Sequence, residues 1–263
     1  MFSKTSLRGS LIIQLRVIGA LLMREIVTRF GRQNLGFLWL FLEPMAFTLG
    51  VTALWTITGA HHDSHLSITA FAVTGYSSVM LWRNTVLRCI GAIEPNLSLM
   101  FHRNVRLLDI FASRIILEVA GATISFIILT SVFIFVGWME PPADVLKILF
   151  AWILLAWLGT SLALVIGSLA TQFEVIERIW HPISYLLFPL SGALFMVNWL
   201  PSAVREAVLW IPMVHATEMI REGYFGAAVR AHYDLVYLSS VCLSLTLIGL
   251  ALVRETERLV EPE

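Results

Sequence analysis

The chain has 263 residues, 58% of them apolar and only 14% charged, with 18 basic side chains balanced by 18 acidic ones. A soluble domain carries about a quarter charged residues, so this chain lacks the polar surface to coat itself in water. Its balanced charge offers no basic footing for nucleic acid. The composition predicts an all-α, polytopic membrane protein forming one domain over residues 1–263. Cys89 and Cys242 lie in or beside apolar runs, at no metal-ligand spacing and with no disulfide framework. The start, MFSKTSLRGS, does not lead into the short apolar core of a cleaved signal peptide.

Residues 5–30 precede the first long apolar run. Leu11, Leu15, Ile18, Leu22 and Ile26 fall on one helical face, with Arg16 and Arg24 roughly opposite. That pattern suits a helix lying in the cytoplasmic interface, or an arm packed on protein. Arg24, Arg29 and Arg32 then run straight into an apolar stretch led by Trp39 and broken at Glu43-Pro44. A basic segment beside a span fixes the orientation of the chain in a bilayer.

A helix needs about 20 mostly apolar residues to cross the hydrocarbon. The pattern predicts spans near 35–59, 67–90, 113–138, 146–171, 179–199 and 233–253. Arg83 and Arg88 sit at the far end of the second. Arg114 and Glu118 lie one turn apart at the start of the third, where they can pair near the headgroups. With both termini cytoplasmic, fourteen of the eighteen Lys and Arg fall on the inner side, leaving Lys147, Arg205, Arg221 and Arg230 outside. The inverted topology would reverse this bias.

Three connections stand out. Residues 91–112 form the largest cytoplasmic loop, in which Pro95 can open a short helix. Residues 172–178, QFEVIER, form a second, shorter cytoplasmic turn. Residues 200–232 face outward, yet they are too apolar for a solvated loop and too broken to span. Pro201 and Pro212 start two short amphipathic stretches there, consistent with helices that dip back into the outer leaflet. Irregular backbone at that depth is tolerated only against protein or a water-filled cavity.

The chain's only lysines, Lys4 and Lys147, follow Ser3 and Leu146, so it has no Gly-Lys-Ser/Thr with which to hold phosphates. If the protein works on a substrate at the cost of a nucleotide, that chemistry lies in another chain, and no cofactor is expected on this one. His-Glu-x-x-His and Gly-x-Ser-x-Gly are also missing, and no catalytic residue is assigned. His61, His62, Asp63 and His65 could ligate a metal; a solvated hairpin is the plainer reading, and no metal site is assigned. Glu43 is costly in hydrocarbon and faces either a pore, a subunit interface or a helix bend that Pro44 creates. Arg83 and Arg88, with Arg24, Arg29 and Arg32, form either a basic inner mouth or lipid-phosphate anchors.

Aromatics crowd the first and fifth spans: Phe37, Trp39, Phe41, Phe47 and Trp55, then Trp180, Tyr185, Phe188, Phe195 and Trp199. Sugar rings stack on such side chains; interface belts and lipid contact account for many of them equally. In the outer segment, His215, Glu218, Arg221 and Glu222 recur at helical spacing, either salt-bridged to one another or lining an exit.

The run REIVTRFGRQNLGFLWLFLEP (Arg24 to Pro44) resembles the N-terminal signature of ABC-2 type export permeases, and more narrowly the KpsM-type capsule polysaccharide export branch. Three further pieces agree in order: FHRNVRLLDIFASRIILE (Phe101 to Glu118), RIWHPISYLLFPLSGALFMVNWLP (Arg178 to Pro201) and PMVHATEMIREGYFG (Pro212 to Gly226). The middle pieces fit the O-antigen and teichoic acid exporters as well. The resemblance implies a homodimer of six-span subunits with two copies of a separate ATPase that holds ATP and magnesium, an interface helix at 5–30 and a re-entrant pair at 201–225. It implies ATPase coupling through Asn96, Leu97, Met100, Phe101, His102, Arg103 and Arg106, with a lesser contact at Glu174 and Arg178.

The substrate entry and pore are then expected at Arg24, Arg29, Arg32, Trp39, Glu43, Arg83, Arg88, Trp180, Tyr185 and Phe188, and the periplasmic exit at His215, Glu218 and Arg221. An anionic, lipid-linked polysaccharide would pass through the bacterial inner membrane to a periplasmic adaptor and an outer-membrane channel. The rival readings are an ABC-2 permease for O-antigen or another substrate, and a membrane-embedded lipid or glycan enzyme using the histidines.

Overall fold

The computed structural model describes residues 7–30, 45–51, 53–54, 57, 66–100 and 105–260, and all regular structure among them is helical. The principal helices are α1 (Leu7–Phe30), α2 (Ile68–Cys89), α3 (Leu107–Val136), α4 (Val145–Gln172), α5 (Glu174–Phe188), α6 (Ser202–Val208), α7 (Pro212–Phe225) and α8 (Leu235–Val260). Within the expected first span, residues 45–51 are helical; Trp39 and Glu43 lie outside the described residues, as do His61, His62, Asp63 and His65.

Local chemistry sets the boundaries. The Asp109 carboxylate reaches back to accept the Arg106 N–H at 3.0 Å, so α3 starts earlier than its apolar run. It ends at Gly137, whose φ of 82° provides the left-handed cap. Asp144 caps α4 by accepting from Lys147 N at 2.9 Å, and Asp234 caps α8 by accepting from Val236 N and Tyr237 N. Pro212 opens α7 at a position where a missing N–H costs nothing. Pro182 sits inside α5, and the chain beyond Phe188 turns through a wide π-type loop, Pro189–Ala193, with Gly192 at φ 83°.

Helices α3, α4 and α8 are long and apolar enough to cross a membrane. Burial separates them: 61% of the apolar window of α4 is enclosed by the chain, against 28% for α3 and 22% for α8. The central post is therefore α4. One face meets α2 and the start of α3, where Gly159 lets the Trp82 backbone approach and Gly167 leaves room for Cys89 of α2 and Phe111 of α3. Another meets α8, where a Cβ on Gly249 would lie 2.7 Å from that of Leu164. Small residues let apolar helices come close enough for dispersion to hold them. Outward-facing Phe135, Ile127, Ile153, Leu247 and Val236 leave an apolar perimeter, as a lipid-facing surface requires.

The bundle has two ends. One carries α1, the C-termini of α2, α4 and α8 and the N-termini of α3 and α5. The other carries α6, α7 and the α3–α4 connection, whose Ala143 and Asp144 amides bond the Tyr224 and Gly223 carbonyls. A cavity of about 470 Å³ opens at this second end between Ser67, Trp138, Glu140, Tyr224 and Phe225.

Candidate functional site

The described residues among those expected to couple to an ATPase lie at the α1 end. A 3-10 turn, Glu94–Asn96, leads into a single α-turn, Leu97–Met100. Asn96 is buried: its amide donates to Ala92 O at 2.8 Å and its carbonyl accepts from Arg24 of α1. Arg24 also donates to Pro95 O at 3.0 Å. Leu97 and Arg106 are exposed and Met100 is half-buried, while Phe101, His102 and Arg103 lie outside the described residues. Glu174 and Arg178 pair at 2.5 Å, both about three-quarters exposed; such a pair contributes little stability in water and presents a polar tip.

Arg24 was expected at a pore mouth; its described contacts are with Asn96 and Pro95 of the 91–106 loop. Arg29 and Arg32 have no described side chains. Arg88 pairs with Glu118 of α3 at 3.4 Å. Arg114 pairs with Glu25 of α1 at 3.5 Å and donates to Arg88 O at 2.7 Å. The expected Arg114–Glu118 pair within α3 is thus replaced by two bridges to other helices. Tertiary neighbours offer partners that a weak i, i+4 pair does not outcompete.

Arg83 is different. Its guanidinium lies 4.2 Å from the ring centre of Tyr185 on α5, a cation–π contact worth roughly 0.5–1 kcal/mol at an exposed ring. Tyr185 is largely exposed. Alongside, Phe47 stacks on Tyr76 at 3.9 Å, and both meet Phe188 edge-on. Tyr76 was missed in the sequence reading. Its signal was its position seven residues before Arg83, two helical turns along the same face of α2. Trp180, expected in the same lining, is buried within the chain.

The exit set on α7 is enclosed. Arg221 is fully buried and donates to the carbonyls of Gly192, Ala193 (2.6 Å) and Phe195, with its guanidinium 3.7 Å over the Phe71 ring. These carbonyls follow the end of α5, where a helix leaves acceptors unsatisfied. Glu218 accepts from Val197 N and His232 N, each at 3.1 Å. His215 accepts from Asp234 N at Nδ1 (2.8 Å), so Nε2 carries the hydrogen donated to Leu209 O at 2.8 Å. All three are buried among the described residues and tie α7 to the turn after α5 and to the start of α8. Burial pushes the His215 pKa below its ordinary value and holds the ring neutral. Burial raises Glu218 and lowers Arg221, while their opposite charges draw both back toward the ionised forms.

The sequence has counterparts among known proteins. The model of the ABC-2 type transporter family matches residues 16–225. The chain belongs to that family. Among ABC-2 relatives, it is 50% identical to the capsule polysaccharide export inner-membrane protein CtrC of Neisseria meningitidis serogroup B, over 99% of this chain and 98% of that protein. It is 46% identical to the capsule polysaccharide export inner-membrane protein BexB of Haemophilus influenzae over the same shares. It is 28% identical to the polysialic acid transport protein KpsM of Escherichia coli, over 95% of this chain and 97% of that protein. Members of the ABC-2 family are transport permeases; ATP is hydrolysed on a separate subunit.

Proposed function

We propose that this chain is the transmembrane subunit of an ATP-driven exporter that moves lipid-linked capsular polysaccharide across the bacterial inner membrane. The observation that carries the reading is the near-full-length similarity to CtrC and BexB. Both termini are cytoplasmic, with the α1 end facing the cytoplasm. Six spans, an N-terminal interface helix and a re-entrant pair formed by α6 and α7 complete the subunit.

Two copies of the chain work with two copies of an ABC ATPase, which holds the ATP and magnesium. Residues 91–106 and 172–178 receive the ATPase motion. A rigid-body or hinge change then opens a path between the two copies. Arg83, Tyr185 and Phe188 give that path one cation and two rings, suited to an anionic sugar chain, with Tyr76 packed behind them. A periplasmic adaptor and an outer-membrane channel take the polymer onward. Protein groups bind and release; no bond is made or broken on this chain.

The test is a pull-down of the tagged chain from gently solubilised membranes. An ATPase subunit in equal amount and a co-purifying acidic glycolipid are expected. Recovery of the chain alone under several mild detergents would overturn the proposal.

A further inference from the structure

The cytoplasmic end of α8 reaches both ATPase-facing loops. Thr256, fully buried, accepts from Gln172 Nε2 at 2.8 Å and donates to Leu252 O at 2.8 Å. Gln172 is the last residue of α4, immediately before the 173–178 turn. One residue on, Glu257 Oε1 accepts the N–H of Leu107 at 3.4 Å, and Leu107 is the first residue of α3, immediately after the 91–106 loop. Two successive side chains on one helix therefore hold the exit of one loop and the entrance of the other. Val253, one turn earlier, is buried and anchors this stretch in the main core. Arg254, Glu255, Arg258 and Leu259 remain exposed on the other side.

We infer that Thr256 and Glu257 are positioning residues that splint the two ATPase-facing loops, so that displacement of either moves both together with the last span. This rests on the reading of residues 91–106 and 172–178 as ATPase-facing. A rigid element carries motion between two contact points through the packing and bonds that hold it to both, and here the bonds lie at the two loop ends. Without the splint, each loop follows the ATPase separately and the spans receive only part of the motion.

The experiment compares the complete exporter, this chain with its own ATPase, carrying the native sequence or the Thr256→Val/Glu257→Ala double substitution. Membrane content, bound ATPase, ATP hydrolysis and polysaccharide exported per ATP are read together. Normal ATPase binding, hydrolysis within about twofold and a drop of about tenfold in export per ATP are expected, within the range of a lost coupling between sites. Thr256→Ser with Glu257→Gln, which keeps both acceptor oxygens, should restore export. Unchanged export per ATP overturns the inference, even with less protein in the membrane, because a merely structural role lowers amount and not coupling. Loss of ATPase binding also overturns it, since the residues would then dock the partner. If the double variant fails to accumulate, Thr256→Val and Gln172→Leu are read singly by the same ratio. Absence of any ATPase on the native chain would instead overturn the proposed function.

Discussion

Replacing Arg221 with methionine keeps most of the side-chain volume and removes every donor. Three carbonyls, those of Gly192, Ala193 and Phe195, lose a charged partner, and Glu218 loses its neighbouring cation. Hydrogen bonds to a charged group contribute about 1.5 kcal/mol or more each, giving a loss of about 4–5 kcal/mol. That agrees with the roughly 3–5 kcal/mol typical of removing one member of a buried charge pair. For a chain of this size about 1 kcal/mol moves the midpoint by roughly 2–4 °C, so the midpoint should fall by about 10 °C or more. Cys89 and Cys242 are free and buried, and a thiol-reactive dye reports their exposure on heating in detergent. Arg221→Lys, which keeps the charge but not the fork, should fall between. A methionine variant melting within about 2 °C of the native chain would refute the assignment of Arg221 as the tie between α7 and the turn after α5.

Gly249→Val puts a side chain against Leu164 and Val165 and should cost about 1–3 kcal/mol as overpacking; Gly19→Ala, with nothing within 4 Å, should not lower the midpoint, and the two are compared by the same melts. His215 has a lowered folded-state pKa, so its contribution to stability is fully present above the ordinary value of about 6.5 and is lost as pH falls through the lowered one. Melts at pH 7.5 and 5 should show that loss, and His215→Gln should flatten it. Charge reversal at both Arg103 and Arg106 should weaken ATPase capture in the pull-down while leaving the melting midpoint in place; full capture would remove residues 91–106 from the coupling surface.

Periodicity and length were enough to locate several of the described helices. Segment 67–90 is α2 at Ile68–Cys89, and 146–171 is α4 at Val145–Gln172. Ends fixed by a single side chain or a special backbone angle were harder to read. Helix α3 begins at Leu107 because Asp109 caps it, and the segment expected to run from 179 to 199 stops at the Gly192 turn. Polar pairing was least legible. Helical spacing says which residues can meet, and it cannot say that Arg114 prefers Glu25, that Glu118 prefers Arg88, or that Arg24 reaches Asn96 across 72 positions. The same limit applies to His215, Glu218 and Arg221, whose partners are backbone groups of distant turns. Backbone acceptors leave no mark in a sequence pattern.

The enclosure of α4 bears on how the chain is made. During synthesis α4 enters the bilayer with the face opposite α8 still bare, because the sequence of α8 leaves the ribosome later. Gly249 and its neighbours close that face only once Leu235–Val260 has been inserted. A nascent chain stalled before that point leaves only the α8-facing side of α4 to lipid, because α2 is already made and can cover the face at Gly159 and Gly167. Completion of the fold is thereby tied to completion of translation, and the helix whose last turns bond Gln172 and Leu107 is the one that seals the interior.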